Sequence, residues 1–218
     1  LPVAVACAAV GIITGVVMAT GIAFRLSGIL LELSQGITWV LLVLTMVASL
    51  IMGMGMPTTA AYMVLVVLVV PALVDLGVQP LAAHLFVLYF GVISNITPPV
   101  ALAAYAAAGL SKGNPNKTGF VAFRLAISGF VLPFMFVYNN VLLMQGGMFE
   151  VIRAFLSALL GVYCLSCTVE KYFVKWKASI PETLILLGTS ILLIHPGVIT
   201  DLIGIAIIAV LYVAHTAF

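Results

Sequence analysis

Apolar runs, separated by short polar or glycine- and proline-rich stretches, occupy most of this 218-residue chain. A helix needs about 20 apolar residues to cross roughly 30 Å of hydrocarbon, and several runs reach or approach that length. The runs that we interpret as membrane segments are 3–24, 38–52, 59–73, 81–93, 100–110, 120–143, 151–169 and 183–214. The pattern predicts an all-α, polytopic helical membrane protein with about six to eight membrane segments.

The runs 38–52 and 59–73 are both short for a full span, and they flank a break at residues 53–59. That break places glycine, proline and threonine between apolar residues. Two short arms around a tight polar tip predict a re-entrant helical hairpin. Two short, tilted spans are the competing interpretation.

A second break at residues 94–99 separates the runs 81–93 and 100–110, which together predict one discontinuous helix. Hydrocarbon offers no water to opened backbone groups, so such breaks persist only where protein or a watery cavity covers them. Two breaks in corresponding positions are typical of the binding site of a transporter. Kinks or extramembrane turns in an inert helix bundle are the alternative interpretation.

The C-terminal third of the chain leaves one question open. The run 120–143 is a full span in which Pro133 predicts a kink. The run 183–214 contains the sequence His-Pro-Gly at 195–197. It suits either a kink in one long helix or a turn between two short ones. We expect Asp201, which follows, to lie in a solvated turn.

Composition agrees with a membrane protein. The chain is 65% hydrophobic and 6% charged, and its mean hydropathy is +1.36. About a quarter of the residues of a soluble domain are charged, so this chain has too few charged residues to form the surface of a soluble fold. Its formal net charge of +2 is small and scattered, which argues against a nucleic-acid partner. No basic segment precedes the first apolar run, so we expect no signal peptide and an internal start within a longer polypeptide.

The lysines predict an orientation. All of them fall in the loops 111–119 and 170–182, which lie on the same face when the predicted crossings are counted. Positively charged short loops face the cytoplasm. We therefore expect both loops to be cytoplasmic.

Each break also suits the start of a helix. Thr97 is a favoured N-cap, and Pro98 suits the first helical position because no donor is needed there. Pro57, Thr58 and Thr59 offer a similar start for the second arm of the hairpin. A helix N-terminus carries about half a positive charge and stabilises an anion such as a carboxylate.

Oxygen atoms at the two breaks predict sodium binding. Carbonyls at the ends of the preceding half-helices, near 52–53 and 92–93, combine with hydroxyls and an amide into a set of hard ligands. Glycine lets the backbone turn its carbonyls inward without a Cβ clash. The candidate sodium ligands are Gly53, Gly55, Thr58, Ser94, Asn95 and Thr97, and the candidate substrate and ion site adds Pro57, Thr59, Pro98 and Pro99.

The scarcity of acidic residues in the apolar runs bears on the choice between sodium and protons as the coupling ion. The presumed spans contain hardly any central acidic residue, since Asp75, Glu150 and Glu182 fall at loop edges. A proton relay uses buried carboxylates or histidines, so sodium coupling through neutral oxygens fits better. The sequence has no HExxH motif. We also find no convincing Ser/His or paired-Asp arrangement in the runs. We expect no enzymatic activity, no catalytic residue and no cofactor, with sodium as the coupling ion.

Three uninterrupted motifs resemble one family. They are GMGMPTTAAY at 53–62, PLAAHLF at 80–86 and ITPPVALAAY at 96–105. Together they closely resemble the large membrane subunit of tripartite ATP-independent periplasmic (TRAP) transporters, best in the fused type that joins small and large membrane subunits. The similarity continues through 118–120, 123–124, 130–139 and the tail after Gly146, so the chain resembles the C-terminal portion of such a permease.

The resemblance implies a sodium-driven permease of a bacterial or archaeal inner membrane. Such a permease imports small organic anions, C4-dicarboxylates among them, by an elevator-like movement within the lipid bilayer, and a periplasmic substrate-binding protein delivers the cargo. The resemblance divides the chain into a transport-type domain at 1–144, the second of two inverted repeats, and C-terminal helices at 145–218. It also implies that the first repeat and small-subunit-like helices precede this sequence, and that 53–59 and 94–99 line the sodium and substrate sites.

Two other functions remain open. One is a sodium/anion symporter of the same architecture that works without a binding protein. The other is a membrane scaffold subunit that transports nothing. Uptake of a labelled carboxylate, measured with and without sodium and binding protein, distinguishes the three.

Overall fold

The computed structural model describes the backbone at residues 2–174, 176–195 and 197–217, and side chains there except at 2–7, 9, 10, 14 and 215–217. Apart from a two-stranded hairpin, its regular secondary structure is helical, so the prediction of an all-α polytopic fold is confirmed. The chain forms two compact units, Leu1–Phe123 and Arg124–Phe218. The functional division at 144/145 stays a prediction.

The first unit is built from helices joined by short turns. They are α1 Pro2–Thr20, α2 Ile22–Ser34, α3 Thr38–Gly53, α4 Thr58–Leu68, α5 Val70–Asp75, α6 Pro80–Ile93, a 3₁₀ turn Ser94–Ile96, α7 Leu102–Ser111 and α8 Pro115–Ala126, which continues into the second unit.

The second unit continues with a 3₁₀ segment and a long helix. Its elements are the 3₁₀ turn Ile127–Val131, α9 Leu132–Tyr138, the 3₁₀ turn Asn140–Leu143, α10 Met148–Glu170, the strands β1 Tyr172–Phe173 and β2 Trp176–Lys177, α11 Ile180–Ile194 and α12 Val198–Ala217.

The N-terminal run bends where a single helix was expected. Gly21 adopts φ of 69°, in the left-handed region that favours glycine, and Gly11–Thr20 and Ile22–Ser34 meet at 70°. The polar stretch after Phe24 is therefore the helix α2. Its buried positions recur every three or four residues while Arg25 and Glu32 stay exposed, as in an amphipathic helix.

The predicted hairpin forms the core of the first unit. Its two arms, α3 and α4, pack against each other and against α6. Leu42, Leu65 and Phe86 are fully buried. A Cβ at Gly91 would lie 3.4 Å from Leu65 Cδ1, so α4 approaches α6 closely there. Small residues at helix contacts allow this approach, which is how helices associate within a bilayer.

Two helical segments of the described chain are long and apolar enough to cross a membrane, Pro115–Tyr138 and Met148–Glu170, and the bent pair above gives up to three. The first begins earlier than predicted, because Asn114 Oδ1 accepts a hydrogen bond from Lys117 N at 3.1 Å and caps the helix within the expected loop 111–119. Its irregularity is the 3₁₀ turn Ile127–Val131, just before Pro133 in the first turn of α9.

The open question of 183–214 is resolved as two helices. The helices α11 and α12 pack together, and Gly204 lies against Leu193. Pro196 lies outside the described residues. The expected wet loop 170–182 contains the β-hairpin, which covers a core of Cys164, Phe173 and Leu186 among others.

Candidate functional site

The two helix breaks meet at Gly53 and Ser94. A Cβ at Gly53 would lie 2.6 Å from Ser94 Oγ, 3.1 Å from Ser94 Cβ and 3.3 Å from Gly91 Cα. Real Cβ atoms do not approach other atoms so closely, so the contact requires glycine at 53. Gly53 ends α3, and Ser94 directly follows α6. Helix ends that were predicted from separate motifs therefore touch.

The first break follows the prediction for the hairpin tip. Gly55 has φ of 80°, and Met56 N donates a long hydrogen bond of 3.4 Å to Gly53 O. The helix α4 begins at Thr58 directly after Pro57, and Ala61 N donates to Pro57 O at 2.9 Å. Pro57 therefore lies at the start of the second arm, as the sequence predicts.

Most of this tip is uncovered by the rest of the chain. Gly53 is buried, whereas Gly55, Pro57, Thr58 and Thr59 are exposed. The structure brings Gly53 to the second break, but it shows no contact of the two threonine hydroxyls with that break. Their exposure leaves room for further protein or a ligand above the tip.

The second break differs from the prediction in where its following helix starts. Thr97 is not an N-cap, since its Oγ1 donates to Ile93 O at 2.9 Å and α7 begins only at Leu102. Ala101 precedes that helix with φ of 36°, and the Pro98–Pro99 peptide bond is cis. The reason is local: a hydroxyl just beyond a helix end reaches the last carbonyls, which otherwise lack a partner. Pro98 is half-buried and Pro99 is exposed.

The carbonyls at the end of α6 accept hydrogen bonds from the side chains of the break. Ser94 Oγ donates to Gly91 O at 2.7 Å, and Asn95 Nδ2 donates to Val92 O at 3.4 Å. A hydroxyl that donates keeps its oxygen lone pairs, and the Asn95 amide keeps Oδ1. The buried Ser94 and Thr97 and the half-buried Asn95 therefore still offer oxygen ligands.

Two further hydroxyls, missed by the sequence reasoning, lie on the same helix as Gly53. Thr45 and Ser49 are fully buried, and neither hydroxyl has a hydrogen-bond partner. Residues four apart share a helix face, so both belong to the face that ends at Gly53. The spacing Thr45, Ser49, Gly53 in an apolar run was the available signal. A buried hydroxyl without a partner is destabilising by about 1–3 kcal/mol.

Two tyrosines fix the elements around the breaks. Tyr62 Oη lies 2.9 Å from His84 Nδ1 and connects α4 to α6. Tyr105 Oη donates to Pro99 O at 2.9 Å, and a Cβ at Gly119 would lie 3.1 Å from the Tyr105 ring. These contacts tie the second break to α7 and α8.

A separate polar cluster lies in the second unit. Asp201 is 7% exposed, so the expectation of a solvated turn is wrong. Its Oδ1 accepts a hydrogen bond of 2.5 Å from Ser157 Oγ, and its Oδ2 lies 3.5 Å from Arg153 Nη1. Asp201 is in the first turn of α12, where a carboxylate is favoured. The cluster joins α10 to α12.

Both breaks offer neutral oxygens and no charged ligand. Among the described residues, no three His, Cys, Asp or Glu side chains converge on one point. Carbonyl, hydroxyl and amide oxygens suit a weakly held alkali cation more than zinc or another soft metal.

Comparison with known proteins gives one match. The family model described as the DctM component of tripartite ATP-independent periplasmic transporters matches residues 1–151. No curated protein and no solved structure matches the chain.

Proposed function

Because the chain belongs to the DctM family of tripartite ATP-independent periplasmic transporters, and is thus a multi-pass membrane permease component, we propose that it takes part in sodium-driven uptake of small carboxylates. In this proposal a periplasmic binding protein delivers the carboxylate. The permease lies in a bacterial or archaeal inner membrane with the loops 111–119 and 170–182 in the cytoplasm.

The contact between Gly53 and Ser94 carries the proposal. It brings the C-terminal end of α3 next to the Ser94 side chain that directly follows α6. Sodium ions in secondary transporters are held by unwound backbone carbonyls and half-helix C-terminal ends. The proposed sodium ligands are Gly53, Gly55, Thr58, Ser94, Asn95 and Thr97.

The start of α4 provides the proposed place for the carboxylate. The first N–H groups of a helix lack partners within it and attract an anion. Thr58 and Thr59 occupy that start and are exposed. Pro57 directly precedes this start, and we include Pro98 and Pro99 of the second break in the proposed site. A sodium ion at the neighbouring carbonyls would add positive charge, so each ligand would strengthen the binding of the other.

We propose that further protein covers the exposed tip of the hairpin. Gly55, Thr58 and Thr59 would be covered by an inverted first repeat, as in transporters built from two such repeats. We propose that this repeat and small-subunit-like helices belong to the same assembly. In this proposal, residues of both repeats determine which carboxylate the assembly transports.

Uptake by the complete transporter in proteoliposomes tests the proposal. We expect accumulation of a labelled dicarboxylate or keto acid to require an inward sodium gradient and the binding protein, with a potassium gradient as the control. Uptake with sodium but without binding protein would support a simple symporter instead. No uptake of any carboxylate by a correctly assembled transporter would support a scaffold.

A further inference from the structure

The β-hairpin after α10 has two chemically different faces. The strands pair antiparallel, with Tyr172 opposite Lys177 and Phe173 opposite Trp176. Phe173 is 3% exposed, and its ring centroid lies 5.4 Å from that of Trp176 in an edge-on arrangement. The Trp176 ring lies 6.2 Å from that of Tyr212 in α12. This inner face fixes the hairpin to the helices beneath.

The outer face presents an aromatic ring beside positive charge. Tyr172 is 47% exposed, and Lys177 and Lys171 are exposed as well. Among the described residues, neither lysine makes an ion pair. Lys171 caps the C-terminus of α10 in the left-handed conformation. We call Lys171, Tyr172 and Lys177 the hairpin surface.

The two glutamates that flank the hairpin are already engaged. Glu170 Oε1 lies 3.2 Å from Arg124 Nε. Glu182 Oε2 accepts hydrogen bonds from Ser179 N at 2.7 Å and from Ser179 Oγ at 2.8 Å, at the start of α11. The positive charge of the hairpin surface is therefore available to an external anion.

The length of α10 predicts that the hairpin lies at the level of the lipid headgroups. The preceding helix α10 has 23 residues. At 1.5 Å per residue it is about 34 Å long, slightly more than the thickness of the hydrocarbon. A hairpin that follows at once begins at the boundary between hydrocarbon and water. Tyrosine and tryptophan are enriched there, and lysines there attract anionic lipids.

We propose that the hairpin surface binds the phosphate headgroup of an anionic phospholipid. The lysines pair with the phosphodiester, and the Tyr172 ring lies along the apolar part of the lipid. Free phosphate has the same charged group as the lipid headgroup, but it has no apolar part that could pack against the Tyr172 ring. The juxtaposition of ring and lysines therefore favours a lipid. The proposal is independent of sodium coupling and of the substrate.

Native mass spectrometry of the complete, delipidated transporter tests this proposal. Phosphatidylglycerol and phosphatidylcholine are titrated separately, and the affinity of the tightest site is compared between variants. We expect a preference for phosphatidylglycerol that falls about fivefold for each lysine replaced, and hence more than tenfold in Lys171→Gln/Lys177→Gln. Lys171→Arg/Lys177→Arg keeps the preference, because the charge remains.

The matched control is Lys112→Gln/Lys117→Gln, which removes two exposed lysines from the other lysine-bearing loop. It should retain the wild-type preference. Equal affinity for both lipids in the wild type, or an unchanged preference in Lys171→Gln/Lys177→Gln, would overturn the proposal. Displacement of the lipid by excess inorganic phosphate at constant ionic strength would also overturn it, because the site would then hold a soluble anion.

Discussion

Gly53 lies against Ser94 so closely that a Cβ at 53 would be 2.6 Å from the serine hydroxyl oxygen. Gly53 ends α3, whereas Ser94 directly follows α6, and the helices α4 and α5 lie between α3 and α6 in the sequence. Their contact brings two separate interruptions of apolar helices together. A Cβ at this position would force the Ser94 side chain to move and would lie only 3.3 Å from Gly91 Cα, so the close contact favours glycine.

Thr97→Val tests the hydroxyl that follows α6. The substitution keeps the shape of the side chain but removes Oγ1, which donates to Ile93 O at 2.9 Å. We expect the sodium concentration for half-maximal uptake to rise about tenfold, as for loss of a hydrogen-bonding or ion-binding group next to a charge. Thr118→Val is the control, because its Oγ1 bonds Asn114 O outside the site. Equal sodium dependence of both variants would show that Thr97 is no ligand.

Asn95→Ala separates ion binding from stability. Its Nδ2 bond to Val92 O is 3.4 Å long, so its loss should change the free energy of unfolding by less than about 0.5 kcal/mol. Loss of Oδ1, by contrast, should weaken sodium binding several-fold. Melting temperature and sodium-dependent uptake are measured on the same preparation. A large fall in melting temperature with unchanged sodium affinity would assign Asn95 a structural role.

Ser49→Ala should stabilise the protein in the absence of sodium. The hydroxyl is fully buried without a partner, so its removal relieves a desolvation penalty of about 1–3 kcal/mol. If Ser49 lies on the path of the ion, the rise in melting temperature on adding sodium should become smaller. Ser190→Ala is the comparison, because that buried hydroxyl donates to Leu187 O at 2.7 Å. A lower melting temperature of Ser49→Ala without sodium contradicts this prediction.

We expect substitutions of Arg153 and Asp201 to have coupled effects on the stability of the second unit. Arg153→Met alone leaves the buried carboxylate without its cation, and Asp201→Asn alone leaves the guanidinium unpaired. Removing one partner of a well-buried ion pair costs about 3 kcal/mol. Each substitution should destabilise the second unit by less than this, because the Arg153 side chain is 30% exposed. The double variant should recover part of the loss in thermal unfolding. Additive effects in this double-mutant cycle would show that the two side chains do not interact.

The sequence predicted those elements that glycine, proline and apolar runs determine locally. The hairpin tip was predictable because Gly55 allows the positive φ of a tight turn and the ring of Pro57 fixes the φ that precedes a helix. The start of α7 was not, because the hydroxyl of Thr97 had two possible partners and the structure uses the preceding helix. Contacts between distant segments, such as Tyr62 with His84, leave no local pattern.

The same limit applies to the second unit. A span that ends in charged residues predicts a loop after it. The two short strands form there because Phe173 and Trp176 pack on α10 before them and on α11 and α12, which follow later in the chain. Asp201 was assigned to solvent because its partner, Arg153, precedes it by two helices. Thr45 and Ser49 had a readable spacing, but only burial distinguishes unpaired hydroxyls from ordinary ones.

Whether the two breaks form one sodium site is tested by the binding of radiolabelled sodium to the purified complete transporter. The two variants to compare are Gly53→Ala and Gly109→Ala. A Cβ at 109 meets no atom within 4 Å, so that variant controls for the added methyl group. We expect Gly53→Ala to lose a bound sodium ion or to bind it at least about tenfold more weakly, since overpacking costs about 1–3 kcal/mol. Gly109→Ala should bind as the wild type does. Unchanged sodium stoichiometry and affinity in folded Gly53→Ala would contradict the claim that the two breaks form one sodium site.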